Sequence, residues 1–135
     1  MRNILILVSL ILFGYGLVAC KGSDPQIEVE TAAIDLGEVV NGDVVVRDVA
    51  VKNAGSADLT IESVSTSCGC TQASLDLMNI PPGSSATLHI EFDSGAHGPE
   101  LTGDLVRQVF VVSNDPQQAQ AIVELTAVIL PPPAP

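Results

Sequence analysis

The sequence is poor in aromatic residues, basic residues and cysteines. It has three phenylalanines, one tyrosine, no tryptophan and three cysteines, and five Lys and Arg face sixteen Asp and Glu, for a net charge of −11. An acidic surface of this kind repels the phosphates of nucleic acids and the anionic headgroups of lipids. We therefore expect no nucleic-acid partner, and the abundant Val, Ile, Leu, Thr, Ser and Gly are typical of β-strands.

Motifs of the common catalytic and metal-binding classes are also missing. The sequence has no G-x-S-x-G elbow, no H-E-x-x-H zinc motif, no glycine-rich phosphate loop and no calcium loop of D-x-[DN]-x-[DN]-G spacing. Its acidic residues are scattered rather than clustered, as expected for a solvated surface. We predict that the protein is not an enzyme.

The N-terminus has the organisation of a secretory signal peptide. Arg2 supplies a positive charge, residues 4–13 are apolar apart from Ser9, and Leu17-Val18-Ala19 directly precedes Cys20. This ending resembles the lipobox of bacterial lipoproteins, in which the cysteine thiol takes a diacylglycerol and becomes the first residue of the mature chain. We predict lipidation of Cys20. The alternatives are a signal peptide cut elsewhere and an uncleaved anchor, although the run is short for a transmembrane span.

The predicted lipid anchor divides the chain into four parts. Residues 1–19 are the signal peptide, 20–25 the lipidated cysteine and a polar tether, 26–130 one β-domain, and 131–135 a proline-rich tail. About a hundred residues suffice for one domain but not for two. Lys21, in place of aspartate, resembles the outer-membrane sorting pattern of Gram-negative lipoproteins. We expect an extracytoplasmic protein anchored by its lipid in the bacterial cell envelope, with the outer membrane favoured.

The predicted domain consists of short alternating segments without helical periodicity. Apolar residues occupy every second position from Ala86 to Phe92, and turn residues such as Asn41-Gly42-Asp43 separate the segments. The predicted strands cover residues 26–39, 44–51, 59–64, 73–77, 86–92, 105–112 and 121–130. About seven short strands with regularly spaced turns predict an antiparallel β-sandwich, with a closed barrel as the alternative. Residues 93–103 form a predicted loop.

Cys68 and Cys70 are the cysteines that remain once Cys20 is assigned to lipid. One residue, Gly69, separates them, so they cannot link distant parts of the fold and their role is local. Three interpretations remain open. The two thiolates chelate a soft ion such as copper(I), with Gly69 permitting the backbone angles; or they form a local disulfide suited to thiol exchange; or they are small residues that shape a turn.

Two histidines are candidate partners for this pair. A cysteine pair alone is half of a tetrahedral zinc site, so His89 or His97 would have to extend it. His97 falls in the predicted loop, and His89 falls on the outward side of its strand. A surface histidine is the plainer interpretation of each, and His97 is the candidate extra metal ligand.

One run of motifs spans most of the predicted domain. It comprises a strand ending in an Asn-x-Gly turn, a Leu-x-Ile strand, a T-S-C-G-C-T run, an Ile-x-Pro-Gly turn and an alternating strand ending in Phe-Asp, at residues 49–55, 59–61, 66–71, 80–83 and 88–93. This pattern resembles the bacterial family called domain of unknown function 1573. The resemblance implies an immunoglobulin-like sandwich related to Hydin and major-sperm-protein domains. This sequence departs from the family in having Val49 for phenylalanine and a longer loop around His97.

Taken together, these features predict an immunoglobulin-like antiparallel β-sandwich that follows a signal peptide. We expect a non-catalytic binding or scaffold module that meets a protein partner in the cell envelope through a sheet edge or loops. The alternative is a copper(I)-binding or thiol-redox accessory protein that acts through Cys68 and Cys70. No other cofactor is expected.

Overall fold

The computed structural model describes residues 23–134, so the predicted signal peptide, Cys20 and Lys21 lie outside the described residues. Nine strands occupy this part of the chain. They are β1 (Ile27–Val29), β2 (Ala33–Val40), β3 (Val44–Asn53), β4 (Leu59–Thr66), β5 (Thr71–Leu75), β6 (Asn79–Ile80), β7 (Ser85–Asp93), β8 (Gly103–Ser113) and β9 (Gln120–Leu130). Within residues 23–134, no helix is long and apolar enough to cross a membrane.

The strands form two sheets that pack against each other. One sheet has the strand order β1-β3-β7-β5, and the other has the order β2-β9-β8-β4-β6. Neighbouring strands are antiparallel, except that β2 runs parallel to β9. The predicted all-β sandwich is confirmed, and two separate sheets replace the alternative of a closed barrel.

The extended segment predicted over residues 26–39 is divided between the two sheets. Its first part, β1, pairs with β3, whereas β2 crosses to the opposite sheet and pairs with β9. The structure thus has more strands than the sequence predicts. Alternation identifies the side chains that face inward, but it does not identify the neighbouring strand.

Side chains from every long strand meet in the main core between the sheets. Val51, Leu59, Leu88, Val109 and Val123 are fully buried there, each on a different strand. Burial of such a side chain contributes about 1.5–3 kcal/mol. The core therefore rests on aliphatic packing across both sheets, as the scarcity of aromatic residues predicts.

A smaller cluster closes one end of the sandwich, which we call the cysteine end. Its buried members are Val39, Cys70, Phe92, Leu105, Ala127 and Ile129. Cys68 packs against this cluster and is partly buried. The two cysteines therefore pack against buried apolar side chains and do not lie on a loop free of the domain.

Buried polar side chains close the opposite end, which we call the tether end because residues 23–26 run along it. Asn53 is fully buried at the end of β3. Its amide donates to the carbonyls of Ala57 (2.7 Å) and Ile80 (2.8 Å), and its Oδ1 accepts from the N–H of Gly55 (3.0 Å). This side chain fixes the turn that follows β3.

Asp115 is the second buried polar residue of the tether end. Its carboxylate accepts from the backbone N–H groups of Ile27 (2.8 Å), Gln117 (2.8 Å) and Gln118 (3.1 Å). Burial raises the pKa of Asp115, but the three backbone donors outweigh burial and hold that pKa below its usual value. The charged carboxylate therefore stabilises the joint between β1 and the turn before β9.

Candidate functional site

Cys68 and Cys70 lie in the turn between β4 and β5 and are joined by a disulfide. The turn also has hydrogen bonds of its own. The Thr71 N–H donates to the Cys68 carbonyl at 3.1 Å, and Thr66 Oγ1 lies 3.0 Å from the Cys68 carbonyl and 2.9 Å from the Thr71 carbonyl. The backbone of Gly69 is not in the left-handed region, so the disulfide-bonded turn does not require glycine for a positive φ.

The two cysteines differ in their access to solvent. Cys70 is 2% exposed and belongs to the buried cluster, whereas Cys68 is only partly buried. A reagent that approaches the disulfide from solvent therefore meets Cys68 first.

His97 lies against the more accessible sulfur. Its Nε2 is 3.0 Å from Cys68 Sγ, and its ring is exposed to solvent. The loop between β7 and β8 carries this histidine. The side-chain amide of Asn41 ties that loop down by donating to the carbonyls of Gly98 and Leu101, each at 2.9 Å. The predicted pairing of His97 with the cysteines thus has a defined geometry.

Arg107 of β8 lies against the more buried sulfur. Its Nε donates to Cys70 Sγ at 3.2 Å. Arg107 occupies an inward-facing position between Leu105 and Val109, which are 6% and 0% exposed. Among residues 23–134, the one contact of salt-bridge geometry joins His89 and Asp48, so no carboxylate forms a salt bridge with this guanidinium. Arg107 is not among the site residues predicted from the sequence, although an arginine in the core-facing row of an alternating strand is a recognisable signal.

The three predicted ligands come together in space. One side-chain atom each from Cys68, Cys70 and His97 lies within 4.8 Å of the others. Two thiolates and one imidazole suit a soft cation such as copper(I), whereas a tetrahedral zinc site needs a fourth ligand. Because a metal binds thiolates, the disulfide and the metal-bound state exclude each other.

His89 does not belong to this group. It faces outward from β7, as predicted, and its Nδ1 lies 2.7 Å from Asp48 Oδ1 on β3. Both side chains are at least half exposed. His89 is therefore part of a surface pair rather than a candidate ligand.

A depression at the tether end offers little chemistry. It has a volume of about 420 Å³ and is lined by residues 24–26, 54–56, Asp115 and Gln117. The carboxylate of Asp115 is already engaged by backbone donors. This depression contains neither a thiol nor an imidazole, so the candidate site remains at the cysteine end.

A second candidate site is the free edge of β5, one of the four edge strands in the described part of the chain. β1 is three residues long and its Ile27 N–H is capped by Asp115, while β6 has only two residues. β2 is interrupted by a shift in register between Asp35 and Glu38. β5 has five residues without proline, charge or a shift in register. It therefore lacks the features that usually protect an edge.

Solved structures with the same fold come from different kinds of protein. A protein of unknown function from Porphyromonas gingivalis W83 matches with a TM-score of 0.67 and 22% identity, covering 77% of this chain and 46% of that chain. The Vibrio cholerae VesB protease matches with a TM-score of 0.62 and 13% identity, covering 76% and 32%. The ASH/PapD-like domain 7 of human CEP192 matches with a TM-score of 0.60 and 10% identity, covering 82% and 89%.

At these identities the similarity establishes the fold, which is that of PapD-like, immunoglobulin-like domains, and not an activity. This chain spans less than half of the first two proteins. No curated protein sequence matches it.

A sequence family matches almost the whole described domain. The family described as "Protein of unknown function (DUF1573)" covers residues 27–129, which include both Cys68 and Cys70. This span exceeds half of the chain and agrees with the resemblance found in the motifs. The chain therefore belongs to the DUF1573 family.

Proposed function

We propose that this protein is a lipid-tethered, non-catalytic binding module of the bacterial cell envelope, which pairs β5 with an extended segment of a partner protein. The observation that carries the proposal is the free edge of β5. Added strands obtain affinity from main-chain hydrogen bonds and specificity from side-chain contacts at alternate positions.

The hydrogen bonds of β5 indicate which backbone groups are available. The Cys70 carbonyl accepts from the Asp93 N–H, and the Asp76 N–H donates to the Thr87 carbonyl, so even-numbered residues of this segment bond to β7. Because antiparallel pairs alternate, the backbone groups of Ala73 and Leu75 point to the open side. An added strand would bond there.

The surroundings of β5 suggest the chemistry of the partner. Leu77 and Met78, just beyond the strand, are 49% and 46% exposed. The protein has a net charge of −11, which attracts basic partners over long range. An extended segment with apolar and basic side chains fits both features.

The tether places the domain close to a membrane in this proposal. Five residues, 21–25, span at most about 18 Å when fully extended. The Asp24 carbonyl already accepts from the Ser56 N–H at 2.9 Å, so part of this segment is docked on the domain. β3 runs from the cysteine end to the tether end, and its ten residues measure roughly 34 Å. The cysteine end would therefore point away from the anchored membrane.

Site-specific crosslinking tests the binding proposal. A photo-crosslinking residue replaces Ser74, which faces outward on β5, and a control replaces Asp35, which is exposed on β2. In intact envelopes we expect a crosslinked partner from position 74 and none from position 35. Ala73→Pro should abolish the crosslink, because it removes an edge N–H without breaking a bond to β7. No reproducible partner, or an equal yield from Ala73→Pro, would contradict the proposal.

A second function is favoured by the convergence of Cys68, Cys70 and His97 within 4.8 Å. The reduced protein would bind one copper(I) ion through these three side chains. Competition with a chromophoric copper(I) chelator measures this affinity. We expect the Cys68→Ser, Cys70→Ser double variant to lose binding and His97→Asn to weaken it. His89→Asn is the matched control, and equal effects of the two histidine variants would remove His97 from the site.

A further inference from the structure

We propose that the Cys68–Cys70 disulfide is a thiol–disulfide exchange site, in which an external thiolate attacks Cys68 and Arg107 stabilises Cys70 as the leaving thiolate. This inference goes beyond the binding function and does not depend on it. It rests on the unequal surroundings of the two sulfurs.

The direction of attack follows from access. Cys68 is partly exposed, whereas Cys70 is 2% exposed and covered by the cluster around Phe92. Exchange requires a thiolate to reach the sulfur that it attacks. Attack at Cys68 therefore makes Cys70 the leaving group.

The leaving group has a cation in place to receive it. Arg107 Nε is 3.2 Å from Cys70 Sγ, and the residue occupies a core-facing position with no carboxylate partner among residues 23–134. A partly buried cation without a counterion is costly. The Cys70 thiolate supplies that counterion, and a stabilised leaving thiolate departs faster. The arginine is thus better matched to the reduced state than to the disulfide.

His97 is the positioning residue for the second half of the exchange. Its Nε2 is 3.0 Å from Cys68 Sγ and open to solvent. When Cys68 departs in its turn, an N–H at Nε2 of His97 donates a hydrogen bond to its sulfur. Each sulfur therefore has its own donor.

The exchange balances in two steps. In the first, the external thiolate forms a bond to Cys68 Sγ, the Cys68–Cys70 bond breaks, and its electron pair remains on Cys70. In the second step, another external thiolate attacks the external sulfur of the mixed disulfide, and Cys68 departs with the electron pair. Two external thiols are oxidised to one disulfide, and the cysteine pair is reduced by two electrons.

The fold tolerates both states. The Thr71 N–H bond to the Cys68 carbonyl and the contacts of Thr66 Oγ1 involve neither sulfur atom, so breaking the disulfide does not itself remove them. A three-residue loop also gains little stability from its disulfide, because the loop-closure entropy that it removes is small. The pair therefore changes redox state without unfolding the domain.

Equilibration with reduced and oxidised glutathione tests the proposal on the full mature chain. The redox state is trapped with an alkylating agent and read by mass spectrometry. We expect the wild-type pair to be reduced within the range of glutathione buffers. Arg107→Gln should shift the equilibrium toward the disulfide about tenfold, equivalent to about 30 mV for this two-electron couple. Arg107→Lys, which keeps the positive charge, should return the equilibrium most of the way to the wild-type value.

Arg47→Gln is the matched control. Nη1 of Arg47 and Nη1 of Arg107 each donate to the carbonyl of the preceding residue at 2.8 Å, but Arg47 is exposed on β3. We expect its variant to leave the equilibrium unchanged. Thermal unfolding of the oxidised form verifies that each variant is folded, and the lysine variant provides the comparison if Arg107→Gln does not fold.

The cysteine that forms the mixed disulfide with glutathione gives an independent test of the direction of attack. Under oxidised glutathione, Cys70→Ser should form a glutathione adduct on Cys68, and Cys68→Ser should react at least tenfold more slowly at Cys70. Structural disulfides stay oxidised even in buffers with a reduction potential below about −300 mV. The same behaviour of the wild-type pair would overturn the proposal. So would equal equilibria for Arg107→Gln and Arg47→Gln, or equal adduct rates at the two cysteines.

Discussion

Buried polar side chains bind backbone carbonyls at both ends of the sandwich, through Asn53 at the tether end and through Asn41 and Ser94 at the cysteine end, but the cysteine end adds contacts to sulfur. At the tether end, Asn53 and Asp115 are buried and bind backbone groups of their own chain. At the cysteine end, the added contacts converge on two sulfurs, from an exposed imidazole at His97 and from a guanidinium at Arg107 that has no carboxylate partner in the described part of the chain.

The difference separates a structural role from a functional one. A buried polar group whose bonds are all made within the chain stabilises the fold and has little left to offer a ligand. A partly buried charge without a counterion costs stability, and such groups are concentrated at functional sites. We therefore expect substitutions of Asn53 and Asp115 to change stability and substitutions of Arg107 and His97 to change reactivity.

The largest loss of stability is expected at Asn53. Asn53→Ala leaves the partly buried carbonyl of Ala57 and the buried carbonyl of Ile80 without their donor, so the free energy of unfolding should fall by about 3–4 kcal/mol. Urea denaturation measures this change. Asn79→Ala, at an exposed asparagine of β6, should change it by less than about 0.5 kcal/mol. Equal losses in the two variants would refute the structural role of Asn53.

Two glycines, one at each end, provide a direct comparison. A Cβ at Gly55 would collide with backbone atoms of Asp24, Pro25 and Gln26, whereas a Cβ at Gly69 meets nothing within 4 Å. Gly55→Ala should cost about 1–3 kcal/mol, because the backbone of the docked segment must move. Gly69→Ala should leave the melting temperature almost unchanged. The comparison would fail if Gly69→Ala were the more destabilising of the two.

The pH dependence of stability tests Asp115. Because its pKa is lowered in the folded state, its contribution is complete above about pH 4 and is lost as the pH falls through the folded pKa. Asp115→Asn should lose about 1–2 kcal/mol at pH 7, since its amide places a donor among backbone donors. The difference in the free energy of unfolding between this variant and the wild type should decrease below pH 4. A difference that does not change with pH would contradict the stabilising role of the charged Asp115 carboxylate. Asp58→Asn, at an exposed aspartate, is the control.

Reduction of Cys68–Cys70 should cost less stability than Asn53→Ala. Loop-closure entropy for three residues predicts a loss of about 1.6 kcal/mol. Urea denaturation with and without a phosphine reductant measures it. The Cys68→Ser, Cys70→Ser double variant should not respond to the reductant. Unfolding of the wild-type domain on reduction would make the disulfide a structural element.

Periodicity in the sequence predicted the inward faces better than the neighbours of each strand. The alternation from Ala86 to Phe92 lies in β7, whose apolar side chains are buried and whose His89 faces outward. β2 alternates until its register shifts between Asp35 and Glu38, and it lies in the sheet opposite β1. That crossover depends on which strand β2 pairs with over a long sequence separation, and no local pattern records it.

The candidate site was only half visible in the sequence. The spacing of Cys68 and Cys70 indicated local sulfur chemistry, and His97 was named as an extra ligand. Its distance from Cys68 depends on the conformation of a loop held by Asn41, which composition does not specify. Arg107 lies on β8, which pairs with β4, and that pairing continues past Thr66 and Val109 to the bonds between Ser67 and Gln108, so it brings Arg107 to the cysteine turn. No local pattern in the sequence identifies β8 as the neighbour of β4.

Mass spectrometry of the protein from membranes, after alkylation of free thiols, tests the central claim most directly. The claim is that the chain is anchored by lipid at one end and presents a reducible cysteine pair at the other. It predicts a diacylglyceryl group with fatty acyl chains on Cys20, and a fraction of molecules in which Cys68 and Cys70 carry two alkyl groups. An unmodified Cys20 in the mature chain, together with a pair that is never alkylated in envelopes exposed to reduced glutathione, would contradict it.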